Sequence, residues 1–143
     1  MAERGKVTQL PGDHSAQTHI ELVANGTSDE VAIWVNDTDA NVEITEAAYT
    51  PDAAVTGDDT NNFTLQVKNK GTDGTGTTGV TDIKTYNVAS GGIAAFDKNS
   101  LVLSSTAANL LVAPGEVLSL DKAENGSGDT MEQGVFNLTY KFT

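Results

Sequence analysis

A glycine-rich loop is the first segment of this sequence with the spacing of a chemical motif. Gly74-Thr-Gly-Thr-Thr-Gly79 has the glycine pattern of a dinucleotide-binding loop, and Asp97 lies 18 residues beyond its end. That fingerprint requires a helix to begin at the glycines, so that its N-terminus faces a pyrophosphate. Residues 80–86 are instead typical of a strand, and the loop belongs to a longer Gly/Thr tract. We therefore predict a flexible hairpin connection rather than a cofactor site.

Acidic loops suggest a second kind of chemistry, the binding of a hard cation. Asp37 and Asp39 begin a stretch with the spacing of a calcium-binding loop, but its sixth and twelfth positions lack the required Gly and Glu. An irregular site that combines Asp37 and Asp39 with Asp58 or Asp59 stays open, because clustered carboxylates suit such ions. The alternative is that all four are solvated turn residues, and we assign no metal ligand.

Nucleophile and base candidates are few. His14 and His19 have no third ligand at zinc-binding spacing, and Asp13-His14-Ser15 has the residue types of a catalytic triad only as neighbours in sequence. The chain has no cysteine, which excludes thiolate metal sites, cysteine nucleophiles and disulfides. We therefore predict no catalytic residue, no cofactor and no enzymatic activity.

Charge and length limit the partners. The 143 residues carry 20 acidic and 8 basic side chains, a formal net charge of -12. Such a balance argues against nucleic-acid binding, which needs clustered Lys and Arg. No segment approaches the roughly 20 apolar residues that span a bilayer, and we do not expect the charged start to be a secretory signal. We expect one soluble domain, made in a cytoplasm, with neither nucleic acid nor membrane as a partner.

Alternating apolar residues are the main structural signal. A period of two, typical of strands with one buried face, runs through residues 31–35, 42–45, 63–68 and 136–142. Weaker strand candidates cover residues 18–24, 80–88, 92–96, 101–104, 109–112 and 116–120. Turn-forming residues separate them, and Pro114-Gly115 suits the centre of a type II turn. Some ten short strands without a convincing helix indicate an all-β antiparallel sandwich, jelly roll or barrel.

Residues 1–17 differ from the rest, because they contain Gly5, Pro11 and Gly12 with few apolar side chains. We predict a flexible N-terminal arm over 1–17 and a single β-sandwich domain over 18–143. The arm carries Arg4 and Lys6, and its residues Val7 to Leu10 are able to form a strand if a partner supplies a sheet edge. A disordered tail is the alternative.

Two aromatic residues are candidates for a surface role. Trp34 faces away from Val31, Ile33 and Val35 if its strand alternates regularly, whereas Tyr86 shares a face with Val80. We expect Trp34 and Tyr86 to lie at an intersubunit or ligand-binding surface. A strand buried on both faces is equally consistent with the pattern.

Several segments resemble one group of phage proteins. These are Asn36-Asp-Thr-Asp-Ala-Asn-Val-Glu-Ile, Ala47-Ala-Tyr-Thr-Pro-Asp, Leu65-Gln-Val-Lys-Asn-Lys-Gly and Leu111-Val-Ala-Pro-Gly-Glu-Val-Leu-Ser-Leu, followed by a Gly/Asn turn and a last strand. The likeness extends from Val31 to Phe142, about three quarters of the chain, and over this range the sequence is similar to the head decoration, or cement, proteins of tailed bacteriophages. The shared motifs are patterns of turns and strands, without an active-site signature.

The resemblance implies a jelly-roll-like domain that assembles as a homotrimer on the capsid exterior, at three-fold or quasi-three-fold positions, and stabilises the shell against internal DNA pressure. It implies the major capsid protein as partner, with Arg4, Lys6, Val7 and Leu10 as contacts through strand addition. The acidic composition fits an outer position. The alternative is a carbohydrate- or receptor-binding module of a phage tail fibre or baseplate.

Overall fold

A computed structural model describes residues 12–87 and 92–143 of the chain. The described residues form ten β-strands and one 3₁₀ turn, Ala107–Leu110. The strands are β1 (His14–Ile20), β2 (Asp29–Val35), β3 (Val42–Pro51), β4 (Asn62–Asn69), β5 (Thr78–Gly79), β6 (Lys84–Thr85), β7 (Asn99–Ser100), β8 (Leu111–Val112), β9 (Val117–Asn125) and β10 (Gly134–Phe142). The predicted all-β architecture is confirmed.

Two antiparallel five-stranded sheets pack against each other. In the first sheet the order is β1-β10-β3, with β7 and β8 both paired to β3, and in the second it is β2-β9-β4, with β5 and β6 both paired to β4. The pairs are nested along the chain: β1 with β10, β2 with β9, β3 with β7 and β8, and β4 with β5 and β6. A long antiparallel ribbon rolled up into two sheets has this order, which is that of a jelly roll.

The core follows from the alternation in the sequence. In β10, Phe136 and Leu138 are buried while Asn137 between them is partly exposed, and β4 repeats the pattern with Phe63, Leu65 and Val67. These side chains meet between the sheets in one apolar cluster. A sandwich of this kind excludes water from the inner faces of both sheets, which provides most of its stability.

Several strand boundaries differ from the prediction. β1 begins at His14, within the predicted arm, because His14 to Ile20 pairs in unbroken register with Tyr140 to Gly134. Ser15, Gln17 and His19 are exposed, so the sequence of this strand has little apolar character. The strand forms because its backbone pairs with β10. Between β4 and β9, the described part of the 80–88 candidate keeps only β6 as a strand, and the 92–96 and 101–104 candidates contain only isolated bridges at Ile93 and Leu103. Part of the 109–112 candidate is the 3₁₀ turn.

The hairpin and turn predictions are confirmed where the structure describes them. β4 and β5 pair antiparallel, Lys68 with Gly79, so the Gly/Thr tract between them is a hairpin connection. In the turn at Pro114-Gly115, the Glu116 amide donates to the Ala113 carbonyl at 3.1 Å. Gly115 has a φ of 82°, which a type II turn requires at that position.

The sandwich has two sides, which differ in the length of their strands, and two ends, which differ in their loops. The long-strand side is the edge formed by β1 and β2, and the short-strand side is the opposite edge, formed by β5 to β8. Thr18 Oγ1 donates to the Ile33 carbonyl at 2.6 Å and joins the two sheets at the long-strand side. The β1–β2, β3–β4 and β9–β10 loops lie at one end, and the β2–β3 loop and the Pro114-Gly115 turn lie at the other.

Candidate functional site

The two aromatic candidates occupy different environments, and Tyr86 is not at a surface. Its side chain is completely buried, stacked on Phe63 with ring centroids 4.8 Å apart, and its hydroxyl bonds Asn99 Oδ1 at 3.1 Å. Burial raises the pKa of Tyr86, so the hydroxyl stays protonated in neutral solution. The prediction of a surface role is therefore wrong for Tyr86, which is a core residue packed against β4.

A β-bulge determines where Trp34 points. Val31 pairs with Leu120 and Trp34 with Leu118, so one extra residue of β2 lies between Ala32 and Trp34. Leu118 and Leu120 share the inner face of β9, and directly paired residues share a face. Trp34 therefore faces the same side as Val31, against the prediction, and packs on the core while remaining partly exposed.

Trp34 belongs to an aromatic cluster at the end of the sandwich where β10 finishes. Its ring lies 4.8 Å from that of Tyr140, which in turn stacks on His14 at 5.6 Å. Phe142 meets His14 edge-on at 5.1 Å. All four rings are partly exposed. The cluster closes the core beside the start of β1, and it presents apolar ring surface to solvent.

The four acidic candidates do not converge. Asp37 and Asp39 lie in the β2–β3 loop, at the opposite end of the sandwich from Asp58 and Asp59, which precede β4. Asp58 accepts the backbone amides of Thr60 and Asn61 at 2.7 and 2.6 Å, and these bonds lower its pKa. Within residues 12–87 and 92–143, no group of three or more acidic, His or Cys side chains is arranged to hold a metal ion.

The predicted capsid contacts Arg4, Lys6, Val7 and Leu10 lie outside the described residues. The described residues begin at Gly12, two residues before β1, which is an edge strand of the long-strand side. These four residues remain predictions.

Exposed apolar side chains are concentrated on the short-strand side. Six large hydrophobic residues of the described chain are exposed, and four of them belong to the segment 83–111: Ile83, Phe96, Val102 and Leu111. Short strands leave these side chains without a neighbouring strand to cover them. Sequence patterns do not reveal this surface, because Val102 and Leu111 lie within short apolar runs of the kind that predict buried strands. Ile83 and Val102 line the same depression, and a contiguous exposed apolar patch is typical of a protein–protein contact.

Phe96 is the most unusual of these residues. Its side chain is 74% exposed, and its φ of 64° is the only positive value for a non-glycine residue in the described chain. The Asp97 amide donates to the Ala94 carbonyl at 3.2 Å, so Phe96 occupies the third position of a turn, where Gly is usual when φ is positive. Its own amide is bonded to the Pro51 carbonyl at 2.8 Å. The fold therefore holds a strained backbone and an exposed ring at the same residue.

A shallow depression lies on the same side of the sandwich. Its lining residues are Asp82, Ile83, Lys84, Thr85 and Val102, and its volume is about 330 Å³. Ile83 and Val102 are 63% and 66% exposed, and the Asp82 amide donates to the Val102 carbonyl at 2.8 Å, which fixes the two apolar residues beside each other. The depression is an apolar patch with one carboxylate and one ammonium at its rim.

The depression contains a lysine, Lys84, whose surroundings differ from those of the other lysines. Five of the six lysines of the sandwich are in ion pairs: Lys68–Asp121, Lys70–Glu30, Lys98–Glu46, Lys122–Glu124 and Lys141–Glu43. Lys84 instead lies over the ring of Tyr86, with Nζ 5.7 Å from its centroid. Among the described residues, the lysine without a carboxylate partner in the chain is therefore the one in the depression.

A buried lysine, Lys122, connects the β1–β2 and β9–β10 loops at one end of the sandwich. Lys122 is 1% exposed, and its Nζ donates to the carbonyls of Ala24 and Thr27 at 3.1 and 2.8 Å and to the carboxylate of Glu124. Glu124 also accepts the Asp129 amide at 3.0 Å. Burial lowers the pKa of Lys122, although nearby carboxylates act in the opposite direction. The network therefore has a structural role: its hydrogen bonds hold these two loops together.

Comparison with known proteins identifies no relative. No protein-family model matches the chain, and neither a curated protein nor a solved structure matches it significantly. In the part of the chain that the structure describes, no helix is long and apolar enough to cross a membrane. Function is therefore inferred from the geometry of the sandwich and its exposed residues.

Proposed function

We propose that this chain is a non-enzymatic virion structural protein, which binds the outer surface of a viral capsid as a homotrimer at three-fold or quasi-three-fold positions. Its role is to stabilise the shell against internal DNA pressure by bridging neighbouring copies of the major capsid protein. The observation that carries the proposal is the set of exposed apolar residues on the short-strand side, with Ile83 and Val102 in one depression, because a jelly-roll domain with such a surface is suited to assembly.

The distribution of charge supports an outer position. Residues 12–143 contain 19 acidic and 6 basic side chains, and five of the lysines are already paired within the chain. Packaged DNA repels such a surface, whereas the outside of a shell does not. Arg4 and Lys6 belong to the segment that joins the sandwich at the long-strand side, where strand addition through Val7 to Leu10 would bind a capsid edge.

Cosedimentation with capsids tests the proposal. The purified protein is mixed with expanded, empty capsids of the cognate phage, and a variant that lacks residues 1–11 is the matched control. We expect saturable binding at a copy number set by the capsid lattice, a higher capsid melting temperature, and weaker binding of the control. Failure of the full chain to cosediment would reject the proposal.

One observation favours a second function. The partly exposed rings of Trp34 and Tyr140 offer an aromatic platform of the kind that stacks on sugars, which fits a carbohydrate-binding module of a tail fibre or baseplate. Trp34 is the only tryptophan, so its fluorescence reports directly on that platform. A change on addition of a glycan would support this function. No response across a broad glycan panel, together with lattice-like copy numbers in virions, would exclude it.

A further inference from the structure

We propose that two copies of this chain associate through Phe96 of one copy, which seats in the depression at Ile83 and Val102 of the next. This inference deepens the proposed function, because it assigns the contact of the trimer proposed there. It depends on the short-strand side alone, and it can be tested without a capsid.

Phe96 is costly to the isolated chain. An aromatic side chain that is 74% exposed loses the stabilisation that burial would give, and the positive φ of 64° adds a backbone penalty. Glycine at this turn position would remove both costs. The side chain therefore fits a residue whose ring is buried in an assembly, and large aromatic residues are the usual centres of binding energy in such contacts.

The depression has room for such a ring. Ile83 and Val102 present apolar surface side by side, and the volume of about 330 Å³ exceeds what a single phenyl ring needs, since pockets from about 300 Å³ hold drug-sized molecules. Phe96 does not fill the depression of its own copy, because its ring is 74% exposed. A second copy supplies the same ring from outside.

Charge complementarity selects a second copy as the occupant. Asp97 follows Phe96 directly and is exposed, and Lys84 at the rim of the depression has no carboxylate partner among the described residues of its own chain. Seating Phe96 in the depression brings Asp97 of one copy towards Lys84 of the other. In a chain with a net charge of -12, Lys84, which has no carboxylate partner among the described residues, offsets part of the repulsion with which Asp82 at the same rim and the net charge oppose self-association.

The position of the two patches favours a closed ring. Phe96 and Val102 are six residues apart, so at most about 20 Å separates them. A contact between two different patches is heterologous, and it produces a ring when the rotation between copies closes. Two patches on one side of the sandwich require a large rotation between neighbours, which a small ring such as a trimer provides.

Engineered cysteines test the contact, because the chain contains none of its own. Ala95→Cys lies beside Phe96 and Thr85→Cys lines the depression, so both leave the contacting side chains in place. The two single variants are mixed under mild oxidation, and crosslinked peptides are identified by mass spectrometry. We expect a disulfide that joins position 95 of one copy to position 85 of another, whereas pairing Ala95→Cys with Leu22→Cys on the long-strand side gives only background.

Phe96→Gly is the matched control. Added to the Ala95→Cys chain, it should remove the crosslink to Thr85→Cys, and in the otherwise unchanged chain it should weaken self-association roughly 30-fold in sedimentation velocity, as for an aromatic hot spot. The inference would be overturned if Leu22→Cys crosslinked as well as Thr85→Cys, or if Phe96→Gly left the crosslink yield unchanged. It would also be overturned if the unsubstituted chain stayed monomeric at all concentrations. Loss of capsid binding with this association intact would reject only the proposed function.

Discussion

The side-chain amide of Asn36 donates a hydrogen bond of 2.9 Å to the carbonyl of Val112, across 76 positions of the chain. The same amide donates to the Ala40 carbonyl at 3.0 Å, and its oxygen accepts the Thr38 hydroxyl at 2.6 Å. Asn36 is completely buried. One side chain therefore shapes the β2–β3 loop and attaches it to β8, at the end of the sandwich that holds the aromatic cluster.

Asn36→Ala should lower the free energy of unfolding by about 2–3 kcal/mol, because it leaves buried carbonyls without donors. Asn36→Asp should cost at least as much, since a carboxylate next to the Ala40 and Val112 carbonyls repels them. Urea unfolding followed by circular dichroism gives both values. The control is Asn41→Ala at an exposed position, expected within about 0.5 kcal/mol of the parent protein. Similar losses at both positions would contradict this role of Asn36.

The Lys122–Glu124 pair yields a second prediction. Lys122→Met and Glu124→Gln should each destabilise the protein by about 2–4 kcal/mol, because each leaves a buried polar group without its partner. The double variant should lose less than the sum of the two, which a double-mutant cycle measures. Lys98→Met, which breaks an exposed pair with Glu46, should change stability by less than about 1 kcal/mol. Additive effects of Lys122→Met and Glu124→Gln would show that the pair is not coupled.

Alanine substitutions at Gly134 and Gly115 distinguish the cost of steric crowding from the cost of backbone strain. A Cβ on Gly134 would lie 2.1 Å from the Thr50 carbonyl oxygen, whereas on Gly115 its nearest contact would be Thr72 Cγ2 at 3.6 Å. Gly115→Ala should therefore cost only the conformational penalty of its positive φ, about 1 kcal/mol. Gly134→Ala forces β10 away from β3 and should cost about 3 kcal/mol. Thermal unfolding ranks the two, and the reverse order would contradict the crowding at β10.

Acid should weaken the fold partly through Glu30. Its pKa is lowered from 4.5, first by the hydrogen bond from Ser119 and then by Lys70. A carboxyl whose folded-state pKa is depressed stabilises the protein above pH 4.5, and this contribution is lost as the pH falls through the folded-state pKa. Glu30→Gln should flatten the dependence of stability on pH below 4.5. Ser119→Ala should raise the pKa of Glu30 in an NMR titration. If Glu30→Gln lost stability with falling pH as steeply as the parent protein, Glu30 would not contribute to acid unfolding.

Phe96 links stability to association. Phe96→Gly should raise the free energy of unfolding of the monomer by about 1 kcal/mol, because glycine accepts a φ of 64° without strain. Phe96→Ala removes the same ring but keeps the strained backbone, so its stability should stay close to that of the parent. Denaturation at low protein concentration compares the three chains. Equal stability of the glycine and alanine variants would show that the turn carries no strain.

Residues with regular alternation were predictable from the sequence. Phe136 and Leu138 of β10 and Phe63, Leu65 and Val67 of β4 are buried as the period of two predicts. Trp34 was misplaced, because a bulge adds one residue to β2 opposite β9, a partner strand far away in sequence. Single-strand periodicity carries no information on such an insertion.

The candidate site was harder to predict because exposure on the short-strand side depends on the tertiary arrangement. Ile83, Phe96 and Val102 have the residue types of a core, and Tyr86 between them is a core residue. What exposes the first three is that β6 and β7 are only two residues long and lie at the edges of their sheets. No local pattern in the sequence distinguishes these apolar residues from Tyr86.

The nested pairing of the strands has a consequence during synthesis on the ribosome. β1 is translated first and β10 last, yet His14 pairs with Tyr140 and Ile20 with Gly134. The first sheet therefore lacks its central strand until almost the whole described chain has left the exit tunnel, and such distant pairings close slowly. Until then β1 and β3 lack the strand that lies between them, and the edges that pair with it are open. The nascent chain thus passes through an interval in which chaperone capture competes with folding, and the innermost pair, β4 with β5, is the contact that forms without waiting.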